Sequence, residues 1–166
     1  MSFKLILVRV VYRLKCLFKN PVDLFQTLGI KPDDEILEVG CAIGYHTFAL
    51  ARLACNGKVY AVDISEEYLA YLKSKIQSED NIQLIHSNAE AVEFPLASLD
   101  KVICFDTLHD IPDPEQAVQR WAGFLRKNGK FCFCDPEIRP KQIEIFSEGK
   151  LRQMATVQGI YVFTRR

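Results

Sequence analysis

Net charge is the first thing this sequence lacks: 21 lysines and arginines balance 21 aspartates and glutamates. A nucleic-acid binder usually carries a basic face, so the balance argues against nucleic acid as a partner. Long apolar runs are absent too, and nothing reaches the roughly 18 residues that span a bilayer. Leu5-Ile6-Leu7-Val8 is interrupted by Arg9 and Arg13, with no small-residue cleavage site behind it, so a cytoplasmic protein is expected. The six cysteines include no C-x-x-C pair, which counts against zinc or thioredoxin-like chemistry, and no metal is expected. Cys132 and Cys134, two apart on an apolar strand, face one side and are expected to be buried free thiols.

With 166 residues and 49% hydrophobic composition, the chain is long enough for one domain that buries roughly 70% of its unfolded surface. From residue 34 onward the pattern alternates strand and helix. Strands are predicted at about 35–39, 58–63, 82–86, 101–105 and 130–134, with helices at about 45–54, 66–77 and 115–126. Asn128-Gly129 reads as the stop of the last of these helices. Near-continuous apolar strands imply burial on both faces, hence a doubly wound, mostly parallel α/β sheet with ligands at its carboxyl edge. After a short helical segment near 140–148, two more strands flank only Gln158-Gly159, too short a link for a parallel crossover. A seven-stranded, Rossmann-like mixed sheet with an antiparallel C-terminal hairpin is therefore predicted.

The most informative stretch is Glu38-Val39-Gly40-Cys41-Ala42-Ile43-Gly44, which leaves a strand and opens a helix. Glycines there let a ligand approach the backbone beside the unpaired first N–H groups of the helix. Nineteen residues after Gly44, Asp63 closes the second strand, where a carboxylate can take both hydroxyls of a ribose. A dinucleotide site wants a third glycine, and Tyr45 stands in its place. Glu38 at the strand end would repel a pyrophosphate but suits an ammonium group. A nucleoside with a cationic, amino-acid-like tail fits better than NAD, and S-adenosylmethionine has that chemistry.

On these residues the stretch 34–166 resembles the class I S-adenosylmethionine-dependent methyltransferases, most closely the small type 11 group that includes quinone-biosynthesis C-methyltransferases. Further matching motifs are Ser87-Asn88-Ala89-Glu90, Leu108-His109-Asp110-Ile111-Pro112-Asp113-Pro114, Asn128-Gly129-Lys130 and Gly159-Ile160-Tyr161-Val162-Phe163. The resemblance implies S-adenosylmethionine as cofactor, held by Glu38, Gly40, Cys41, Gly44, Asp63, Ile64, Asn88, Ala89 and Phe105. It also implies a substrate-facing place for His109, just past the fourth strand, as the candidate catalytic residue. Ala42 replaces the commoner glycine, and Asn88 stands where an aspartate usually accepts from adenine. Phe105-Asp106-Thr107-Leu108 occupies the place where base-methylating members carry an Asn-Pro-Pro-Tyr-like run. The implied reaction is in-line methyl transfer to a small, apolar molecule; the alternatives are a non-catalytic S-adenosylmethionine-binding module or partner subunit and, less well supported by the glycine spacing, an NAD-binding protein.

Residues 1–20 carry Lys4, Arg9, Arg13, Lys15 and Lys19 and no acid. Phe3, Leu7, Val10, Leu14 and Leu17 follow heptad spacing, so residues 1–30 are expected to form amphipathic cap helices packed on the 31–166 domain. Peripheral membrane contact through residues 1–20 is the alternative. With about fifteen residues between the fifth strand and the hairpin, the acceptor is expected beneath Phe18, Phe25 and Tyr45.

Overall fold

The computed structural model describes residues 20–77 and 81–166. One sheet holds β1 (Glu35–Val39), β2 (Lys58–Asp63), β3 (Ile82–His86), β4 (Leu99–Phe105), β5 (Leu125–Cys134), β6 (Leu151–Val157) and β7 (Ile160–Arg165). Their order across the sheet is β3-β2-β1-β4-β5-β7-β6. Strands β1 to β5 pair in parallel, and β7 runs antiparallel to both β5 and β6. The helices are α1 (Pro21–Thr27), α2 (Thr47–Leu53), α3 (Glu66–Lys73), α4 (Pro114–Phe124) and α5 (Pro140–Phe146). At the hairpin, Gln158 (φ 51°) and Gly159 (φ 85°) both adopt positive φ, the backbone a tight two-residue link requires. The predicted doubly wound sheet with its antiparallel tail is the architecture observed.

Adjacent residues of the central strands point to opposite, equally buried faces. Ile36, Ile103 and Cys132 pack under α1 and α2 with Phe25, Leu28 and Leu50. Leu37, Val102 and Phe131 pack under α4 and α5 with Val118, Trp121 and Ile143. This double burial is why those strands read as continuous apolar runs. Helix α1 starts where Asn20 accepts from the Val22 N–H and Pro21 sets the first turn; its Phe25 is fully buried. Helix α3 starts at Ser65, whose hydroxyl accepts from the Tyr68 N–H, as its sequence position indicated.

Some boundaries differ from expectation for a visible reason. Helix α3 ends at Lys73, four residues early, with the Ser74 hydroxyl donating to the Tyr71 carbonyl. Helix α4 ends at Phe124, where the carbonyls of Gly123 and Phe124 accept from Ala97 and Ser98. Asn128-Gly129 is therefore not a helix stop. It is an irregularity inside β5, with Asn128 at φ 65°, between the pairings Leu99 to Leu125 and Lys101 to Lys130. Burial of Leu125 against β4 wins over the local glycine signal. Readings that fall on residues 1–19 (the amphipathic segment, its membrane contact, and Phe18) lie outside the described residues. Among the described residues, no helix is long and apolar enough to cross a membrane.

Candidate active site

Strand order reverses between β1 and β4, and there the carboxyl ends of β1, β2, β3 and β4 open on a cavity of about 640 Å³. That volume is within the ~300–1,000 Å³ typical of small-molecule sites. The sheet fixes its floor. The N–H groups of Gly40 and Cys41 both donate to the Val62 carbonyl, at 2.9 and 3.0 Å, which ties the glycine loop to β2. Asp63 braces the same loop from the side: Oδ2 accepts from the Ala42 N–H and Oδ1 from the Ser65 N–H, each at 2.8 Å. A carboxylate has about four acceptor positions, so two bonds leave capacity for ligand hydroxyls.

Gly40 (φ 73°) lies against β4's exit; a Cβ added there would sit 2.2 Å from the Thr107 hydroxyl oxygen. Two non-glycine residues of the lining, Ala42 (φ 47°) and Asp106 (φ 50°), adopt the left-handed region. Such backbone costs on the order of 1–2 kcal/mol per residue and persists where neighbours fix it. Here the Ala42 N–H is held by Asp63, and the Asp106 N–H by the Cys134 carbonyl at 2.8 Å.

Of the sequence-predicted site residues, Gly40, Asp63, Ile64, Asn88, Ala89 and Phe105 line the cavity. Glu38, Cys41, Gly44 and His109 are not part of that lining. Glu38 is buried behind the loop, where the Thr47 hydroxyl at the start of α2 donates to it at 2.6 Å. Gly44 serves packing, since a Cβ there would meet Leu72 of α3 at 2.4 Å. Cys41 is buried, and its thiol is pushed up by that burial and by the charges of Glu38 and Asp63. Phe25 is fully buried behind Phe105, stacked on it at 6.1 Å, with the His46 ring edge-on to both. The aromatic layer is thus backing for Phe105 rather than an exposed roof.

Sequence reasoning missed Asp106, Thr107 and Asp110 as lining residues, because they lie in an irregular turn with no periodic signal. It also missed Trp121, whose indole N–H donates to the Ala89 carbonyl at 3.1 Å and so holds the loop after β3. His86, to which no role was given, lies with Nε2 3.0 Å from the carbonyl of Ile64, a residue that lines the cavity. The ionisable lining is acidic, comprising Asp63, Glu90, Asp106 and Asp110 with no lysine or arginine.

Burial pushes Glu38 from its ordinary 4.5 up to about 8, against the lowering effect of the Thr47 bond and with Asp63's charge adding to the rise. The folded state therefore holds a proton that the unfolded chain releases above about pH 4.5. Stability should fall as pH rises through that window towards pH 8, by on the order of a few kcal/mol. Glu38→Gln should remove the dependence. Urea midpoints of the two proteins should nearly coincide at pH 5 and diverge in the variant's favour at pH 8.5; parallel curves would show that Glu38 ionises freely.

A family model described as "Methyltransferase domain" matches residues 37–133. Among curated proteins, a demethylmenaquinone methyltransferase of Bacillus mycoides is 30% identical over 111 residues, covering 65% of this chain and 47% of that protein. Its namesake from Staphylococcus aureus is 29% identical over 107 residues, covering 64% and 44%. The chain thus spans about half the length of the curated relatives it matches. In fold it is similar to a SAM-dependent methyltransferase from Aquifex aeolicus, with TM-score 0.74, 19% identity and coverage of 87% and 88% of the two chains. It is also similar to magnesium protoporphyrin IX methyltransferase from Synechocystis with bound SAM, with TM-score 0.71, 16% identity and coverage of 94% and 81%.

Proposed function

The chain belongs to the methyltransferase-domain family, among the class I S-adenosylmethionine-dependent methyltransferases, and we propose that it methylates a small, largely apolar acceptor by in-line displacement. The observation that carries the reading is Asp63 at the end of β2, bonded to the glycine loop and lining an acidic cavity at the point where strand order reverses. The residues present fit the cofactor. Gly40 leaves a cradle that a Cβ would fill, Asp63 keeps acceptor capacity for ribose hydroxyls, and Ile64 (69% exposed) and Asn88 flank the cavity beside it. A lining of four carboxylates and no base favours a sulfonium cation and disfavours the pyrophosphate of a dinucleotide.

Bound S-adenosylmethionine supplies an already activated methyl group. The protein's task is then alignment, which is worth ~7–11 kcal/mol when the reacting atoms are held in line. Half-buried Phe105 gives the cavity an apolar wall stiffened from behind by Phe25, which supports an acceptor with an apolar ring. The names of the curated relatives support the same class. The acidic lining supports exclusion of nucleic acid, whose phosphates it would repel.

Thermal unfolding with and without S-adenosylmethionine tests the cofactor reading, since a ligand at 100 times its Kd stabilises by ~2.7 kcal/mol. Asp63→Asn, each sample compared with its own ligand-free protein, should weaken binding roughly 10- to 100-fold, because bonds to a charged acceptor contribute about 1.5–3 kcal/mol. An undiminished shift in the variant would take Asp63 out of the site. A shift produced by NAD alone would overturn the assignment.

A further inference from the structure

Helix α4 clasps the loop that follows β3 at two places. The Trp121 indole N–H donates to the Ala89 carbonyl at 3.1 Å, and Arg120 Nη2 donates to the Val92 carbonyl at 3.2 Å. The clasps differ in what they reach: Ala89 is part of the cavity lining and Val92 is not. Trp121 is 1% exposed and packs in the core with Val118 and Phe131. An aliphatic or phenyl side chain could fill a core position. The indole adds a donor, and its bond leaves the core for the cavity wall.

A trans peptide is planar, with its N–H opposite its C=O. Because the Ala89 carbonyl points at the buried indole, the N–H of the same peptide, which belongs to Glu90, points away from the core. The preceding peptide is fixed as well. The Asn88 carbonyl accepts from the Ala91 N–H at 3.1 Å and from the Ser87 hydroxyl at 2.9 Å, which sets the direction of the Ala89 N–H. Among the described residues neither N–H has an acceptor, and Asn88, Ala89 and Glu90 all line the cavity. The Asn88 amide can offer oxygen or NH2 by turning about its last torsion, so by itself it suits either kind of partner. A backbone N–H in a held peptide cannot reverse.

We infer that Trp121 determines which nucleobase the cofactor site accepts, by holding the Ala89–Glu90 peptide so that the cavity wall after β3 presents N–H donors. It acts through Ala89 and is a positioning residue. The inference rests on the cofactor reading and goes beyond it, since it assigns base selectivity to a core residue of α4. Adenine carries a ring-nitrogen acceptor beside its amino group. Hypoxanthine reverses both, with a ring N–H beside an oxo group. A wall of fixed donors favours adenine. Without the indole N–H, the Ala89 carbonyl loses its buried partner and the peptide is released to turn.

The test compares S-adenosylhomocysteine with S-inosylhomocysteine, their dissociation constants measured by calorimetry on the full chain. The parent should bind the adenine ligand about tenfold more tightly or better. Trp121→Phe removes the donor and part of the ring. Exchange of Trp121 for 3-benzothienylalanine removes the donor and keeps the ring's size, so the core stays filled; the chain has a single tryptophan, so one site changes. In both proteins the adenine ligand should lose roughly tenfold and the inosine ligand little, so the preference collapses. A merely structural role would lower both affinities together, or only the melting temperature, and leave their ratio alone. A preserved ratio in either folded protein overturns the inference, as does a parent that binds the two ligands equally. A parent that binds neither overturns the cofactor reading along with it.

Discussion

Gly40→Ala is expected to lower the unfolding free energy by about 2–5 kcal/mol, combining ~1–2 for a left-handed alanine with ~1–3 for overpacking. Both terms are geometric. The backbone at Gly40 has φ 73°, and the new methyl would stand 2.2 Å from Thr107 Oγ1, 2.6 Å from its Cγ2 and 2.9 Å from its Cβ. A chain of this size loses roughly 2–4 °C of Tm per kcal/mol, so a drop of about 4–20 °C is anticipated in thermal unfolding. Adding Thr107→Ala removes the two shortest contacts but neither the third nor the backbone penalty. Recovery should therefore be partial, and a double variant no better than the single one would locate the strain elsewhere. Because Gly40 lines the cavity and its N–H ties the loop to β2, cofactor affinity should fall in the folded fraction as well.

Lys101→Met should cost about 3–5 kcal/mol without touching the cofactor site. Lys101 Nζ lies 2.7 Å from Asp34 Oδ2, with both side chains 6% exposed, at the amino ends of β1 and β4 and thus opposite the cavity. Methionine leaves the Asp34 charge buried, with the Lys31 N–H, 2.9 Å away, and the more distant charge of Arg126 as partial compensation. Replacing Asp34 by asparagine removes that charge while keeping an oxygen for the Lys31 N–H. The pair Asp34→Asn with Lys101→Met should therefore recover most of the loss. Urea unfolding of the single and double variants checks the sign, and unchanged S-adenosylmethionine affinity in folded samples checks the location. A single variant as stable as the parent would mean that water reaches Asp34.

The two sites differ in how legible they were. The glycine loop and Asp63 could be placed because their roles depend on short-range backbone geometry and on spacing along one βα unit. The match of Gly40 and Asp63 to the cavity followed. Glu38 was legible as an acid at a strand end, but its direction was not. Thr47, nine residues on, turns its carboxyl inward, and only the packing of α2 on β1 decides that. Gly44 was read as ligand-facing and makes room for Leu72, a contact between the loop and α3 that no local pattern encodes. The same reasoning covers Asn128-Gly129, where the pairing of Leu125 with Leu99 outweighs a good local stop signal.

The sequence by itself determined the parallel sheet, its antiparallel tail, the family and the cofactor loop. Each follows from periodicity, from turn chemistry, or from residues close together in the chain. Only the tertiary structure decided which carboxylates face the cavity, that Trp121 holds the loop after β3, and that His109 meets Asp135. Those last two residues are 26 positions apart and become partners because β4 and β5 lie side by side. Strand order is a global property, and it alone brings the ends of distant strands to one point.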